Sequence, residues 1–288
     1  MKILEILQSK DYRLPEGERV WLLSCLLQCG LQEVRLRSSD PVPHPRRVRA
    51  WFRRRDLGEP LQRIVGEAPF FGREFFVTGH TLIPRPETET LVEIALREGD
   101  LLARSRGRPL RVVDVGTGTG AIAATVALER PGWDVAATEI SARAVAVARK
   151  NVKRLAARVN LRRGNLLDPV EAGEFDLVLS NPPYLAPGRD KVEPQVRLFE
   201  PAMALYPGRE SRVPGVSDRG AWLAHRILEA CAERRPPTRL TLMELSARVA
   251  ALLEERWRGD VRVERMWRER DLSGRARYLL VAWKNAQV

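Results

Sequence analysis

The chain reads as an α/β protein, an open sheet with helices on both faces, entered through a small helical domain. Three observations carry this reading. From residue 110 onward, short apolar runs alternate with helix-forming segments, the rhythm of strand–helix units. The first of those runs, 111–115, opens into a triple-glycine turn and then into the helix former 121–128. Residues 1–66 carry helical patterning instead.

Taken in order, 17–30 is an apolar-rich helix closed by Gly30. A proline-rich link (Pro41, Pro43, Pro45) precedes a second helix over 46–56, which carries Arg46, Arg47, Arg49, Arg53, Arg54 and Arg55. That basic face is either solvated or a docking surface for an acidic partner. Residues 70–77 predict a tight β-hairpin that links two domains. Leu82-Ile83-Pro84-Arg85-Pro86-Glu87-Thr88-Glu89 leads into a helix over 90–98, where proline and glutamates suit a helix amino terminus. Strands are expected near 111–115, 134–138, 159–163, 175–180, 239–245, 261–267 and 276–283. Helices are expected near 120–130, 141–157, 219–235 and 246–257. The expected division is a helical domain (1–66), a hairpin linker (67–80) and a catalytic domain (81–288). The segment 185–218, rich in Pro, Gly and Arg, reads as a long substrate cover.

Composition narrows the function classes. The chain has 288 residues, 44% of them apolar, enough for one large domain and a small one. No apolar stretch approaches the ~20 residues of a membrane span. The first residues lack the basic start and apolar stretch of a secretory signal. Cys25, Cys29 and Cys231 are too few and scattered for a disulfide framework or a zinc site. Cys25 and Cys29, one helical turn apart, read as small buried side chains. His44, His80 and His225 have no ligand spacing, so no metal is expected, and a cytoplasmic location fits. The net charge is +12; six of the 49 basic residues are Lys, leaving 43 Arg. Such a balance favours acidic partners or nucleic acid, or reflects genome base composition or thermostability.

The chemistry lies at the ends of the predicted strands. After 111–115 comes Gly116-Thr117-Gly118-Thr119-Gly120, preceded by Asp114. Glycines let a backbone approach a ligand closely, and the helix behind offers free N–H groups. A dinucleotide fold needs G-x-G-x-x-G and an acid about 20 residues on; here the third glycine comes one place early. Glu139 supplies the acid, placed to bind ribose hydroxyls in either fold. After the strand 175–180 stands Asn181-Pro182-Pro183-Tyr184. The Asn181 side-chain carbonyl and the Pro182 backbone carbonyl suit a grip on the two N–H bonds of a planar nitrogen. Tyr184 offers a flat face for stacking. A Pro-Pro turn that merely ends a strand is the bland alternative. Glycine turn, ribose acid and Asn-Pro-Pro-Tyr, each after a strand, together point to a Rossmann-like, seven-stranded, S-adenosylmethionine-dependent amino-methyltransferase.

With those residues in view, the chain resembles the glutamine methyltransferases that modify bacterial peptide chain release factors. The resemblance rests on Arg53-Arg54-Arg55-Asp56 with Gly58-Glu59-Pro60, on the segment from Leu82 to Glu89, and on Asp114 to Gly120. It continues through Ser180 to Tyr184 and Phe199-Glu200-Pro201 with Ala204-Leu205. It implies methyl transfer to the side-chain amide of the glutamine in the Gly-Gly-Gln tip of the release factor. Asp114, the turn from Gly116 to Gly120, Glu139, Asn165, Leu166 and Asn181 would hold S-adenosyl-L-methionine. Asn181, Pro182, Pro183 and Tyr184, with Arg85 and Glu89, would hold the glutamine, and Asn181, Pro182 and Tyr184 would align it for reaction. The partners implied are release factors, with no stable nucleic acid, no membrane and a monomeric enzyme. Two departures stand out. Asn165 occupies a position where an acid is usual, and Tyr206 to Gly215 replaces a glycine-rich stretch. An adenine methyltransferase acting on a flipped base, a methyltransferase of a ribosomal-protein glutamine, and a non-catalytic binding module are the competing readings.

Overall fold

The structure, a computed structural model, describes residues 2–9, 12–170, 175–208, 218–234 and 238–284. The chain divides into two units, Met1–Ala68 with Glu193–Phe199, and Pro69–Val192 with Glu200–Val288.

The first unit is helical, with α1 (Ile3–Gln8), α2 (Glu16–Leu27), α3 (Leu31–Leu36), α4 (Pro45–Asp56) and α5 (Leu61–Val65). Its core gathers Ile3, Leu22, Leu23, Val34, Val48, Trp51 and Phe52. Helix α2 ends earlier than expected. Gln28 adopts the left-handed conformation (φ 51°) and its N–H bonds the Ser24 carbonyl, whereas Gly30 (φ −67°) instead starts α3. A polar side chain thus closes the helix where glycine was expected, at a local cost of about 1 kcal/mol. Cys25 and Cys29 are only half-buried, a correction to their reading as core residues. In α4, Val48, Trp51 and Phe52 face inward at helical spacing. Its arginines split into two groups. Arg54 pairs with Glu59 at 2.7 Å and Arg55 with Glu18 at 2.6 Å. Arg46, Arg49 and Arg53 are exposed, with no ion pair among the described residues, and Arg47 lies 4.6 Å above the Trp51 ring.

The chain then forms a hairpin, β1 (Glu67–Phe70) and β2 (Arg73–Phe76). Phe71 (φ 50°) and Gly72 (φ 70°) both turn left-handed, as a two-residue hairpin loop demands. Helix α6 (Pro86–Arg106) begins with Pro86 at its first position and runs eight residues past the expected end, to Gly107 in the left-handed conformation. Then come β3 (Arg111–Val115), α7 (Ala121–Glu129), β4 (Asp134–Glu139), α8 (Ala142–Arg154), β5 (Val159–Arg163) and β6 (Leu177–Ser180). The segment 185–208 carries two short helices, α9 (Pro194–Phe199) and α10 (Ala202–Leu205), rather than plain loop; residues 209–217 of the expected cover lie outside the described residues. A short 3₁₀ turn over Arg219–Ala221 enters α11 (Trp222–Glu233), followed by β7 (Leu240–Glu244), α12 (Ala247–Trp257), β8 (Val263–Arg270) and β9 (Ala276–Trp283).

The seven strands lie in the order β5-β4-β3-β6-β7-β9-β8. The first five in that row are parallel, and β9 runs antiparallel to both its neighbours. Neighbouring residues serve opposite faces. Val112, Leu177, Leu179 and Leu242 join one core with α6 and α7, while Val113, Val178 and Met243 join the other with α11 and α12. A doubly wound Rossmann-like sheet follows. Strand order reverses between β3 and β6, so the loops leaving their carboxyl ends part and leave a crevice, where such sheets bind ligands. The glycine turn, Glu139 and Asn181 all leave strands at that edge.

Candidate active site

The glycine turn leaves β3 with Gly116 (φ 74°), Gly118 (φ 58°) and Gly120 (φ 81°), conformations that L side chains rarely adopt. A Cβ on Gly116 would meet nothing within 4 Å, and one on Gly118 only the Gly116 carbonyl at 4.0 Å. The first two glycines therefore line open space. Gly120 differs, since a Cβ there would reach Ala148 of α8 at 3.4 Å. It permits close packing rather than ligand approach.

Asp114 is fully buried below the turn. Its Oδ2 accepts from the Thr117 hydroxyl at 2.5 Å and the Ala123 N–H at 3.3 Å, while Oδ1 has no partner among the described residues. Burial pushes this carboxyl up to about 7 against those two bonds, and the Glu139 charge adds to the rise. Glu139, at the end of β4, accepts from Gly118 N–H at 3.0 Å and Ser141 N–H at 2.8 Å. Ile140 beside it is 54% exposed, an apolar surface at this edge that the motif reading passed over. Asn165 is exposed after β5, and Leu166 holds a left-handed φ of 46°. An unpartnered buried carboxylate oxygen, an open backbone cradle and a second carboxylate at the next strand end fit a ligand bearing hydroxyls and a cationic amine. They fit S-adenosylmethionine.

Asn181 leaves β6, which Ser180 ties to β3 by donating its hydroxyl to the Val115 carbonyl at 2.7 Å. The Asn181 Nδ2 donates to Thr88 Oγ1 at 3.1 Å and Glu244 Oε2 at 3.0 Å. Thr88 in turn donates to the same Glu244 oxygen at 2.7 Å. Burial pushes the Glu244 carboxyl up to about 7, against the Thr88 bond and Arg277. Pro182 is buried; Pro183 and Tyr184 are half-buried. Burial, then the Glu244 charge, pushes the Tyr184 phenol up to about 12. Gly220 backs this turn, for a Cβ there would lie 2.3 Å from the Tyr184 carbonyl oxygen.

The segment from Leu82 to Glu89 is placed by a different set of bonds. Glu200 is buried and accepts from the Ile83 N–H at 3.3 Å and from Arg85 at 3.0 Å. Two stretches that carry the family resemblance therefore meet at one carboxylate. Glu89 accepts from the Phe71 N–H at 2.8 Å and so holds the hairpin turn. The residue of this segment that touches Asn181 is Thr88. Thr88 stands inside the motif from Leu82 to Glu89 but carries no sign there that it meets Asn181, whereas Glu244 escapes a motif reading because it lies in no glycine or proline turn. Asn151, fully buried on α8, is another such residue.

A family model described as Methyltransferase small domain matches residues 100–208. The release factor glutamine methyltransferase of Koribacter versatilis is 41% identical over 204 residues, covering 70% of this chain and 68% of that protein. The protein of that name from Geobacter sulfurreducens is 37% identical over 220 residues, covering 72% and 74%. That from Enterococcus faecalis is 45% identical over 148 residues, about half of each chain. Among solved structures, the N-terminal domain of human METTL16 in complex with SAH superposes with a TM-score of 0.51 at 20% identity, covering 74% of this chain and 76% of that one. A methyltransferase from Pyrococcus furiosus gives 0.50 at 19% identity, covering 75% and 91%. These structural likenesses confirm the methyltransferase fold, and the sequence relatives fix the branch: the chain belongs to the release factor glutamine methyltransferase family.

Proposed function

We propose that this chain transfers a methyl group from S-adenosylmethionine to the side-chain amide nitrogen of the glutamine in the Gly-Gly-Gln motif of peptide chain release factors. The observation that carries this is the Asn181 carboxamide, whose nitrogen is held by Thr88 and Glu244 so that its oxygen is left to accept.

Asp114, the turn from Gly116 to Gly120, Glu139 and the pair Asn165–Leu166 hold the cofactor, with Asn181 at the edge of the same site. When bound, it supplies a methyl group on a positively charged sulfur. An amide nitrogen is a poor nucleophile because its lone pair is delocalised into the carbonyl. Asn181 Oδ1 and the Pro182 carbonyl accept its two N–H bonds, draw it toward a tetrahedral geometry and aim its lone pair. Tyr184 stacks on the flat amide, and Pro183 stiffens the turn. The proton leaves once the nitrogen carries positive charge, and water or backbone takes it, so no strong base is required. Catalysis is then mostly orientation and desolvation, worth up to ~7–11 kcal/mol in well-aligned systems.

In this reading residues 1–66 recognise the release factor, 67–80 link, and 81–288 catalyse. The exposed arginines of α4 contribute to docking, Arg85 and Glu89 border the acceptor site, and the enzyme acts as a cytoplasmic monomer without stable nucleic acid. The test is a labelled methyl-transfer assay with three acceptors: release factor, release factor with that glutamine replaced by alanine, and DNA. Label on the first alone is expected; label on DNA, or equal label on the alanine variant, overturns the reading.

A further inference from the structure

A carboxamide has two N–H donors and one carbonyl acceptor, and its ends exchange by rotation about a broad, roughly two-fold torsion. Which end faces the acceptor decides whether Asn181 grips an amide N–H or repels it. Two partners settle this in the fold. Thr88 has one hydroxyl proton, committed to Glu244 Oε2 at 2.7 Å, so its oxygen has only lone pairs left for Asn181. Glu244 Oε2 is likewise an acceptor, 3.0 Å from Asn181 Nδ2. With Glu244 ionised, both neighbours demand the nitrogen, whatever orientation an isolated side chain would take. Asn181 Oδ1 is turned away from them and has no partner among the described residues.

These contacts join distant parts of the chain. Thr88 lies in the first turn of α6, Asn181 follows β6 and Glu244 ends β7, with Thr88 and Glu244 separated by 156 residues. Glu244 is 2% exposed and Thr88 5% exposed, so water does not compete for these bonds. We infer that Thr88 and Glu244 are positioning residues that lock the Asn181 carboxamide with its oxygen turned toward the acceptor nitrogen. This rests on the acceptor-gripping role proposed above for Asn181.

The lock strengthens with the charge on Glu244, because a carboxylate accepts more strongly than a neutral acid. The charged and titratable groups that face it are Arg277 and Tyr278 from β9, Arg85 and Glu87 from the start of α6, and Tyr184. The arginines favour the carboxylate; burial and Glu87 oppose it.

The decisive variants are Thr88→Val, which keeps the shape and removes the hydroxyl, Thr88→Ser, which keeps the hydroxyl, and Glu244→Gln, which keeps an acceptor oxygen without the charge. With release factor as acceptor, Thr88→Val should lower kcat about tenfold, the loss of two modest hydrogen bonds in the aligned state. KM for the release factor and Kd for the cofactor product should move less than about threefold on the same grounds. Thr88→Ser should recover kcat to within about twofold, since its hydroxyl makes the same bonds. Glu244→Gln should flatten the rise of wild-type kcat with pH near neutrality. A second readout needs no acceptor. The two Asn181 side-chain amide protons, assigned by their loss in Asn181→Ala, should exchange slowly with solvent in wild type and rapidly in Thr88→Val. Wild-type kcat in a folded Thr88→Val overturns the positioning role, and so do freely exchanging amide protons in wild type. If release factor is not methylated at all, the proposed function fails, while the exchange measurement still decides whether the lock exists.

Discussion

Asn151 and Phe76, 75 residues apart, exchange a reciprocal pair of hydrogen bonds: the Phe76 N–H donates to Asn151 Oδ1 at 2.8 Å, and Asn151 Nδ2 donates to the Phe76 carbonyl at 2.9 Å. The same Nδ2 donates to the Thr119 carbonyl at 2.8 Å. One buried carboxamide thus ties the hairpin strand β2 to the glycine turn. Asn151→Ala leaves three backbone groups, two half-buried on Phe76 and one buried on Thr119, without their partner, which costs about 1–3 kcal/mol for each group not recaptured by water. We predict a lower denaturation midpoint together with weaker binding of the cofactor product. An unchanged dissociation constant in the folded variant would separate the hairpin tie from the cradle.

Asn181→Ala is expected to abolish methyl transfer while the cofactor product still binds to within a few-fold. The residue's nitrogen is anchored on Thr88 and Glu244, and in the proposed reading its oxygen serves the acceptor rather than the donor's ribose. Calorimetry beside a turnover assay checks this, and wild-type turnover would refute the aligning role.

Glu139→Ala is expected to act on binding. Its carboxylate is preset by the Gly118 and Ser141 N–H groups, leaving lone pairs for ribose hydroxyls. Charge-assisted bonds of this kind are worth ~1.5–3 kcal/mol, or ten- to a hundredfold in Kd. Single-turnover rate at saturating cofactor should change little. An intact Kd with a collapsed rate would move Glu139 into the chemical step.

A glutamine side chain is too small to be selected by Asn181–Tyr184 alone, so remote contacts must position it. Reversing Arg49 and Arg53 together should lower kcat/KM on whole release factor and leave a short Gly-Gly-Gln peptide unaffected, with an effect that shrinks as salt is added. Arg54 and Arg55 are unsuitable for this test because they hold Glu59 and Glu18 inside the helical unit. Equal efficiency on peptide and intact protein would reduce the basic face to a solvated surface.

Asp114 and Glu244 are both raised to about 7 by burial, from ordinary values of 3.8 and 4.5. The folded state therefore holds more protons than the unfolded chain between about pH 4 and 7, and stability falls as pH rises through that window. Asp114 accounts for up to ~4 kcal/mol of that loss and Glu244 for up to ~3 kcal/mol. Glu244→Gln should remove its share, raising the melting temperature at pH 8 relative to wild type more than at pH 4. Parallel wild-type and variant curves from pH 4 to 8 would contradict the assignment.

The alternation of strands and helices, the glycine turn and Asn181–Tyr184 were legible in the chain because each is encoded within about ten residues. Periodic apolar side chains choose strand or helix, and glycine and proline fix the turns. Asp114, Glu139 and Asn181 follow from that, since a doubly wound sheet carries its strand ends to one edge. Local rules failed where a contact outweighed a propensity. Gln28 rather than Gly30 closes α2, and α6 continues well beyond residue 98. Asn151 and Glu244 carry no local signal, and Thr88 and Glu200, though they stand inside motif stretches, carry no sign of which residues they bond. Their partners lie 32 to 156 residues away, and a hydroxyl, carboxamide or carboxylate reads the same in sequence whether it meets water or a buried partner. Only the packed sheet withdraws Thr88 and Glu244 from water and brings them to Asn181. Without solvent to compete, that pairing sets which end of the Asn181 carboxamide faces the crevice.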